Sequence, residues 1–325
     1  MDFSTLNEFI LALLAGLTQG ATEFLPISST AHLRLITGLL TEGRDIGLTS
    51  SNIIQLGTLV AVLQYFRRDL EQFWRRLKEV LTQEGSRAQF LRTAGGWLRG
   101  EREFGGSNEA TIQLDITLTQ LAVGTLPIIV LGLIFGNFAG TYRNLEAIAL
   151  YLLAGSALMA FGEFAHGKTE HDSKILSTQG QYMGLNEVLL VGLFQSLAIF
   201  PGISRSGATI AGTLMIGRPR PQAVRFSFLL SIPAILLAGV WDLLNYLLNF
   251  FVNPTLLPAA ENWTPVIITL SFFALLVAIA AAYFSGLKCL EWLIKYLSKH
   301  SVQNFIYYRV ALAVLILLLG LAGVV

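Results

Sequence analysis

The chain has 325 residues, of which 54% are hydrophobic and only 13% charged, with a formal net charge of +1. A soluble domain carries about a quarter charged residues, so the composition excludes an ordinary water-soluble globule and points to a polytopic helical membrane protein. The single cysteine, Cys289, excludes an internal disulfide framework and a thiolate metal cluster.

At the amino terminus Asp2 and Glu8 stand where a secretory leader is basic, so no cleaved leader is expected. The first apolar stretch, 8–24, breaks at Phe24-Leu25-Pro26 and resumes at 31–40. Across the break runs Gln19-Gly-Ala-Thr-Glu23-Phe-Leu-Pro26-Ile-Ser28-Ser29-Thr30-Ala-His32. A charge at the centre of a bilayer helix costs roughly 2.5–3.5 kcal/mol on insertion scales, so an intramembrane carboxylate is a functional residue by default.

Residues 51–66 read as a span ending at Phe66-Arg67-Arg68. Over 67–81, Leu70, Phe73, Trp74, Leu77 and Leu81 recur at helical spacing among Arg75, Arg76 and Lys78. That pattern suits a helix lying on the membrane surface, or a plain extension of the span into water. Residues 82–110 are polar and contain glycines; they are expected to be a loop. Further apolar stretches follow at 112–136, 144–161, 187–200, 208–217, 226–250, 264–286 and 306–325.

The stretch Gln195-Ser-Leu-Ala-Ile-Phe-Pro201-Gly202-Ile-Ser204-Arg205-Ser206-Gly207 repeats the first break. Gly192-Leu193-Phe194-Gln195 matches Gly16-Leu17-Thr18-Gln19, and the proline is again followed by serines, displaced by one residue. The chain is therefore expected to be one membrane domain over 1–325. Repeat one covers about 1–136, with 82–110 as a polar cytoplasmic insertion, and repeat two covers about 144–325.

Positive charge orients the spans. The connection 67–111 holds nine Lys/Arg. Those at 162–186, 217–225 and 287–305 are also basic, whereas 137–143 has only Arg143 and 251–263 has none. With the basic connections in the cytoplasm, 187–217 must enter the membrane and turn back, and 8–40 must do so from the opposite face. The expected fold is all-α and polytopic: an inverted-topology repeat of about six transmembrane helices plus two re-entrant helical hairpins whose tips meet near the midplane.

At the tips, Ser28, Ser29 and Thr30 follow Pro26 where the returning half-helix has N–H groups without intrahelical partners. Such a terminus is an anion site. Ser204, Ser206 and Gly207 stand equivalently in the second hairpin. Arg205 matches phosphate or carboxylate bidentately, or else pairs with Glu23. Glu23 can hold a divalent cation, act as a general base, or pair with Arg205; Gln19 lies one helical turn earlier on its face. A metal such as Mg²⁺ here would be shared with substrate phosphate oxygens. His32, three residues after Ser29, shares a helical face with it. It is either the base of a Ser29–His32 pair or itself the nucleophile.

By these motifs, and by Ile54-Gln55-Leu56-Gly57-Thr58-Leu59-Val60-Ala61-Val62, the chain resembles the undecaprenyl-pyrophosphate phosphatase family (BacA/UppP, bacitracin resistance) over nearly its whole length except 82–110. The resemblance implies a multi-pass enzyme of the bacterial inner membrane, dependent on a divalent cation (Mg²⁺ or Ca²⁺). It would remove the terminal phosphate of undecaprenyl diphosphate on the outer, periplasmic side and recycle the lipid carrier for peptidoglycan. Glu23, Ser29, His32 and Arg205 would be catalytic. Ser28, Thr30, Ser204, Ser206 and Gly207 would line the phosphate site, and Glu23 with Gln19 would hold the metal. Many members have Glu at the position of Gln19. The partners expected are the lipid substrate and the bilayer, with a homodimer left open and no nucleic acid. The rival reading is a polyprenyl-phosphate flippase or secondary transporter with the same inverted-repeat site.

Overall fold

Glycines set how closely the helices approach. In a computed structural model, which describes residues 3–41, 43–101, 109–171, 183–252 and 270–322, helix α1 (Phe3–Glu23) packs along α11 (Phe272–Leu297). A Cβ on Gly16 or Gly20 would collide with the α11 backbone at Ala278 and Ala282, and α11 presents Ala278, Ala282 and Gly286 at four-residue spacing. Small residues at that spacing let membrane helices approach backbone to backbone. On α3 (Gly47–Tyr65), Gly57 is pressed the same way against the Ile279 carbonyl. Gly20→Val should therefore lower stability by about 1–3 kcal/mol through overpacking, read as thermal unfolding in detergent. Gly85→Ala, which meets nothing within 4 Å, should leave it unchanged.

All described regular structure is helical. After α1 come α2 (Ser29–Leu40), α3, α4 (Arg67–Thr82), α5 (Glu84–Leu98), α6 (Glu109–Thr141) and α7 (Leu145–His171). The second half continues with α8 (Leu185–Ser196), a 3₁₀ turn at Leu197–Ile199, α9 (Arg205–Met215), α10 (Arg220–Val252), α11 and α12 (Gln303–Leu321). Five of these, α6, α7, α10, α11 and α12, are long and apolar enough to cross a bilayer. The chain is thus a multi-pass membrane protein. The sixth expected span, 51–66, forms α3 but is less apolar, because α3 packs on α1, α10 and α11, and its Asn52 amide donates to Asp242 (2.7 Å). A helix with protein on several sides has less need of an apolar surface than one facing lipid. The connection at 251–263 and the start of the span expected at 264–286 lie outside the described residues, save 251–252, which end α10.

The insertion departs from expectation. Glu84–Leu98 is a helix, not a loop, and α4 and α5 pack together. Phe90, Ala94 and Trp97 recur at helical spacing inside the polar stretch. Trp97 is buried with Ile116, Val188, Val191, Phe226 and Leu230, and its indole N–H donates to the Met183 carbonyl at 2.7 Å. Helix α4 is tied down by Arg76, buried against both carboxylate oxygens of Asp115 at 2.7 and 2.9 Å. The opposite surface of α4 exposes Trp74, Leu77 and Leu81 beside Arg67 and Lys78.

Two helix pairs flank the breaks: α1, of 21 residues, with the short α2, and the short helices α8 and α9. Helices α2 and α9 both pack on α7, and α7 packs on α12. In each pair the first helix carries the Gly-Leu-x-Gln motif. Gly16 touches α11, and Gly192 touches α6 at Gly124 and Pro127.

Candidate active site at two helix breaks

The two turns share one backbone solution. Ser28 has φ 72° and ψ 100°, Ser204 has φ 73° and ψ 117°, and they are the only described non-glycine residues with positive φ. Each such residue costs on the order of 1–3 kcal/mol, a cost concentrated at sites where geometry matters. Each is also the N-cap of the helix that follows. The Ser28 hydroxyl accepts from Ala31 N–H at 3.4 Å and that of Ser204 from Gly207 N–H at 3.3 Å. Aligned on these caps, Gln19 and Gln195 each precede their serine by nine residues. Glu23 then corresponds to Ile199, and Ser29 to Arg205.

The carboxylate of Glu23 is where both turns meet. Its Oε2 accepts from the Gln19 amide and from the Ser29 hydroxyl, each at 2.7 Å. Its Oε1 pairs with Nη2 of Arg205. Ser29 is the first residue of α2 and Arg205 the first of α9, so two helix N-termini lie within one side chain's reach of a single carboxylate. Ser206 strengthens the junction, its hydroxyl lying 3.3 Å from the Leu25 carbonyl and 3.2 Å from the Ser204 hydroxyl. Thr30 is half-buried in the first turn of α2, and Gly207 is buried where a Cβ would press on Met159 of α7.

His32 is placed differently from the expectation. Ser29 gives its hydrogen bond to Glu23, and His32 turns away from it. Its Nδ1 lies 2.8 Å from the Ser28 carbonyl and its Nε2 2.7 Å from the Tyr308 hydroxyl. The reason is local. A side chain four residues after a capping residue reaches back to that residue's carbonyl, while Ser29, at the very start of the helix, points across the turn to Glu23. The titratable group in contact with Ser29 is the Glu23 carboxylate.

Arg309 escaped the reading of 306–325 as a plain apolar span. It is fully buried on α12 and ties both turns together. Its Nη1 donates to the Pro26 carbonyl in the first turn at 3.2 Å. Its Nη2 donates to Gly202 and Ile203 in the second, at 3.0 Å each, and to Leu152 of α7 at 3.1 Å; Nε donates to the Ser156 hydroxyl at 3.1 Å. Gly155 makes the room, since a Cβ there would strike the guanidinium. The signal was available, because an arginine within a bilayer span marks function just as a glutamate does.

As to a divalent cation, no three His, Cys, Asp or Glu side chains gather at one point among the described residues. Glu23 is the one carboxylate at the junction, and beside it the Gln19 carbonyl oxygen is buried without a hydrogen-bond partner. A carboxylate plus an orphaned amide oxygen is a donor set for a hard cation that takes its other ligands from a phosphorylated substrate.

Residues 12–315 match the family described as bacitracin resistance protein BacA. Among curated relatives, one from Chloroherpeton thalassium named undecaprenyl-diphosphatase is 36% identical over 95% of this chain and 96% of its own length. One of the same name from Myxococcus xanthus is 37% identical over 96% of this chain and 89% of its own. Undecaprenyl-diphosphatase 2 of Streptomyces coelicolor is 33% identical over 96% and 95%.

Proposed function

The chain belongs to the bacitracin resistance protein BacA family, and we propose on that premise that it hydrolyses undecaprenyl diphosphate to undecaprenyl phosphate and inorganic phosphate. The activity recycles the lipid carrier for cell-wall synthesis and fits bacitracin resistance. The observation that carries the reading is the convergence of Ser29, Gln19 and Arg205 on Glu23. The flippase alternative is not favoured, since the relatives are named for a hydrolase.

Phosphoryl transfer asks for positioning and for neutralisation of the phosphate oxygens. Arg205 exchanges its pairing with Glu23 for the terminal phosphate, which frees the carboxylate. The N-terminal N–H groups of α2 and α9, with Ser28, Thr30, Ser204, Ser206 and Gly207, receive the remaining oxygens. Glu23 takes the proton of Ser29 as its Oγ attacks the terminal phosphorus. The anhydride P–O bond breaks and its electron pair leaves on undecaprenyl phosphate. Water then attacks the phosphorus, the Ser29 Oγ–P bond breaks, Glu23 returns its proton to Oγ, and the water's protons leave with inorganic phosphate and solvent. Glu23 and the Gln19 carbonyl would hold Mg²⁺ or Ca²⁺ together with substrate oxygens; the ion would supply charge neutralisation on the diphosphate.

The matching φ values and caps of the two turns support an inverted repeat in which both hairpins re-enter the membrane. The charge distribution of the connections supports hairpins that enter from opposite faces. In this reading the site lies at membrane depth in the bacterial inner membrane and opens to the periplasmic side, and the isoprenoid tail stays among the helices.

The test is phosphate release from undecaprenyl diphosphate by the purified protein in detergent, with and without EDTA. Release should fall about a hundredfold or more on chelation, as expected where metal neutralises phosphate charge, and return with Mg²⁺ or Ca²⁺. No release from any isoprenyl diphosphate by the folded protein would overturn the assignment.

A further inference from the structure

Tyr308 sits on the last helix, 276 residues from the histidine it touches. Its hydroxyl lies 2.7 Å from His32 Nε2, and the two rings are parallel within 3° with centroids 5.6 Å apart. The other ring nitrogen, Nδ1, is 2.8 Å from the Ser28 carbonyl. A carbonyl oxygen only accepts, so Nδ1 carries the proton. In the neutral ring Nε2 is then an acceptor, and the tyrosine O–H is its donor. The chain of bonds runs in one direction: Tyr308 O–H to His32 Nε2, then His32 Nδ1–H to Ser28 C=O. It ends on the peptide of a strained residue whose φ is 72°, immediately before the Ser29 hydroxyl that donates to Glu23.

Both nitrogens of His32 are thus committed away from Ser29. The neighbouring Arg309 fixes the same turn from further back, at the Pro26 carbonyl. We propose that Tyr308 is a positioning residue for phosphoryl transfer: through His32 it holds the Ser28 peptide in its left-handed conformation and so aims the Ser29 hydroxyl. His32 serves this line as a donor to Ser28, not as the base for Ser29. The proposal rests on the phosphatase reading of the site.

The experiment is a double-mutant cycle on kcat and KM for phosphate release, with thermal unfolding measured for every variant. An asparagine in place of His32 puts an amide N–H where Nδ1–H stands but offers nothing to Tyr308. His32→Asn should therefore keep kcat within about tenfold of wild type, whereas His32→Ala, which frees the turn, should lose about a hundredfold or more, the scale of a misaimed reacting group. Tyr308→Phe should lower kcat about tenfold with KM unchanged, and should cost nothing further in the His32→Asn background, because coupled partners are not additive. A His32→Asn variant as inactive as His32→Ala would make His32 a direct participant in the chemistry and overturn the proposal. So would an equal Tyr308→Phe loss in both backgrounds, or full activity of Tyr308→Phe. An inactive wild type would instead bring down the phosphatase reading itself, so the two failures are distinguishable.

Discussion

Arg205→Ala should reduce phosphate release by about a thousandfold or more, the scale on which a transition-state arginine acts in phosphoryl transfer. The guanidinium stands at the start of α9 and is the one side chain from the second turn that reaches the Glu23 carboxylate. Its removal deletes the charge that meets the terminal phosphate and leaves Glu23 with the Gln19 amide and the Ser29 hydroxyl as its remaining donors. Arg205→Lys keeps the charge but loses the planar fork, so it should recover only part of the activity. The measurement is kcat and KM on undecaprenyl diphosphate, with thermal unfolding to confirm that the variants are folded. Activity within tenfold of wild type in Arg205→Ala would remove the arginine from the reaction.

The second large effect is structural. Arg309→Leu should destabilise the protein by about 3 kcal/mol or more, since buried acceptors left without a donor cost about 1–3 kcal/mol each. Five acceptors lose a donor at once: the carbonyls of Pro26, Gly202 and Ile203, the Ser156 hydroxyl, and the Leu152 carbonyl, which keeps the Ser156 hydroxyl. Because the same guanidinium joins both turns, the loss should also reach the chemistry. At a temperature where the variant is still folded, release should fall about a hundredfold, as expected for a small misplacement of reacting groups. Arg309→Lys, whose single nitrogen cannot span these acceptors, should fall between. A leucine variant with wild-type unfolding temperature and rate would show that the turns need no tie.

What was legible in the sequence follows from contrast. In apolar stretches the few polar residues stand out, so Glu23, Ser28, Ser29, His32, Arg205 and Ser206 were readable as one site, and the serine caps followed from the proline breaks. Partners were less readable than positions. Helical spacing puts Ser29 and His32 on one face, yet the first residue of a helix directs its side chain across the turn, and Ser29 found Glu23 instead. Aligning the prolines puts the two repeats one residue out of register. The strained caps, Ser28 and Ser204, are the equivalent points, and they bring Gln19 and Gln195 into correspondence. Arg309 and Tyr308 make contacts across most of the chain's length, which no local pattern reports. Helix α5 was hidden because its apolar residues are few and two glycines interrupt them, although Trp97 anchors it. The glycines of the Gly-Leu-x-Gln motif acquired a reason only from packing: Gly16 meets α11 and Gly192 meets α6.

Ser29, Gln19 and Arg205 all point to Glu23. Glu23→Gln preserves the shape of the side chain and removes its basicity and charge. Phosphate release from undecaprenyl diphosphate at saturating substrate should fall by about a thousandfold, within the range for loss of a general base, in a variant that thermal unfolding shows to be folded, although less stable because Arg205 loses its counter-charge. Release within about tenfold of wild type by the folded variant would contradict a site centred on this carboxylate.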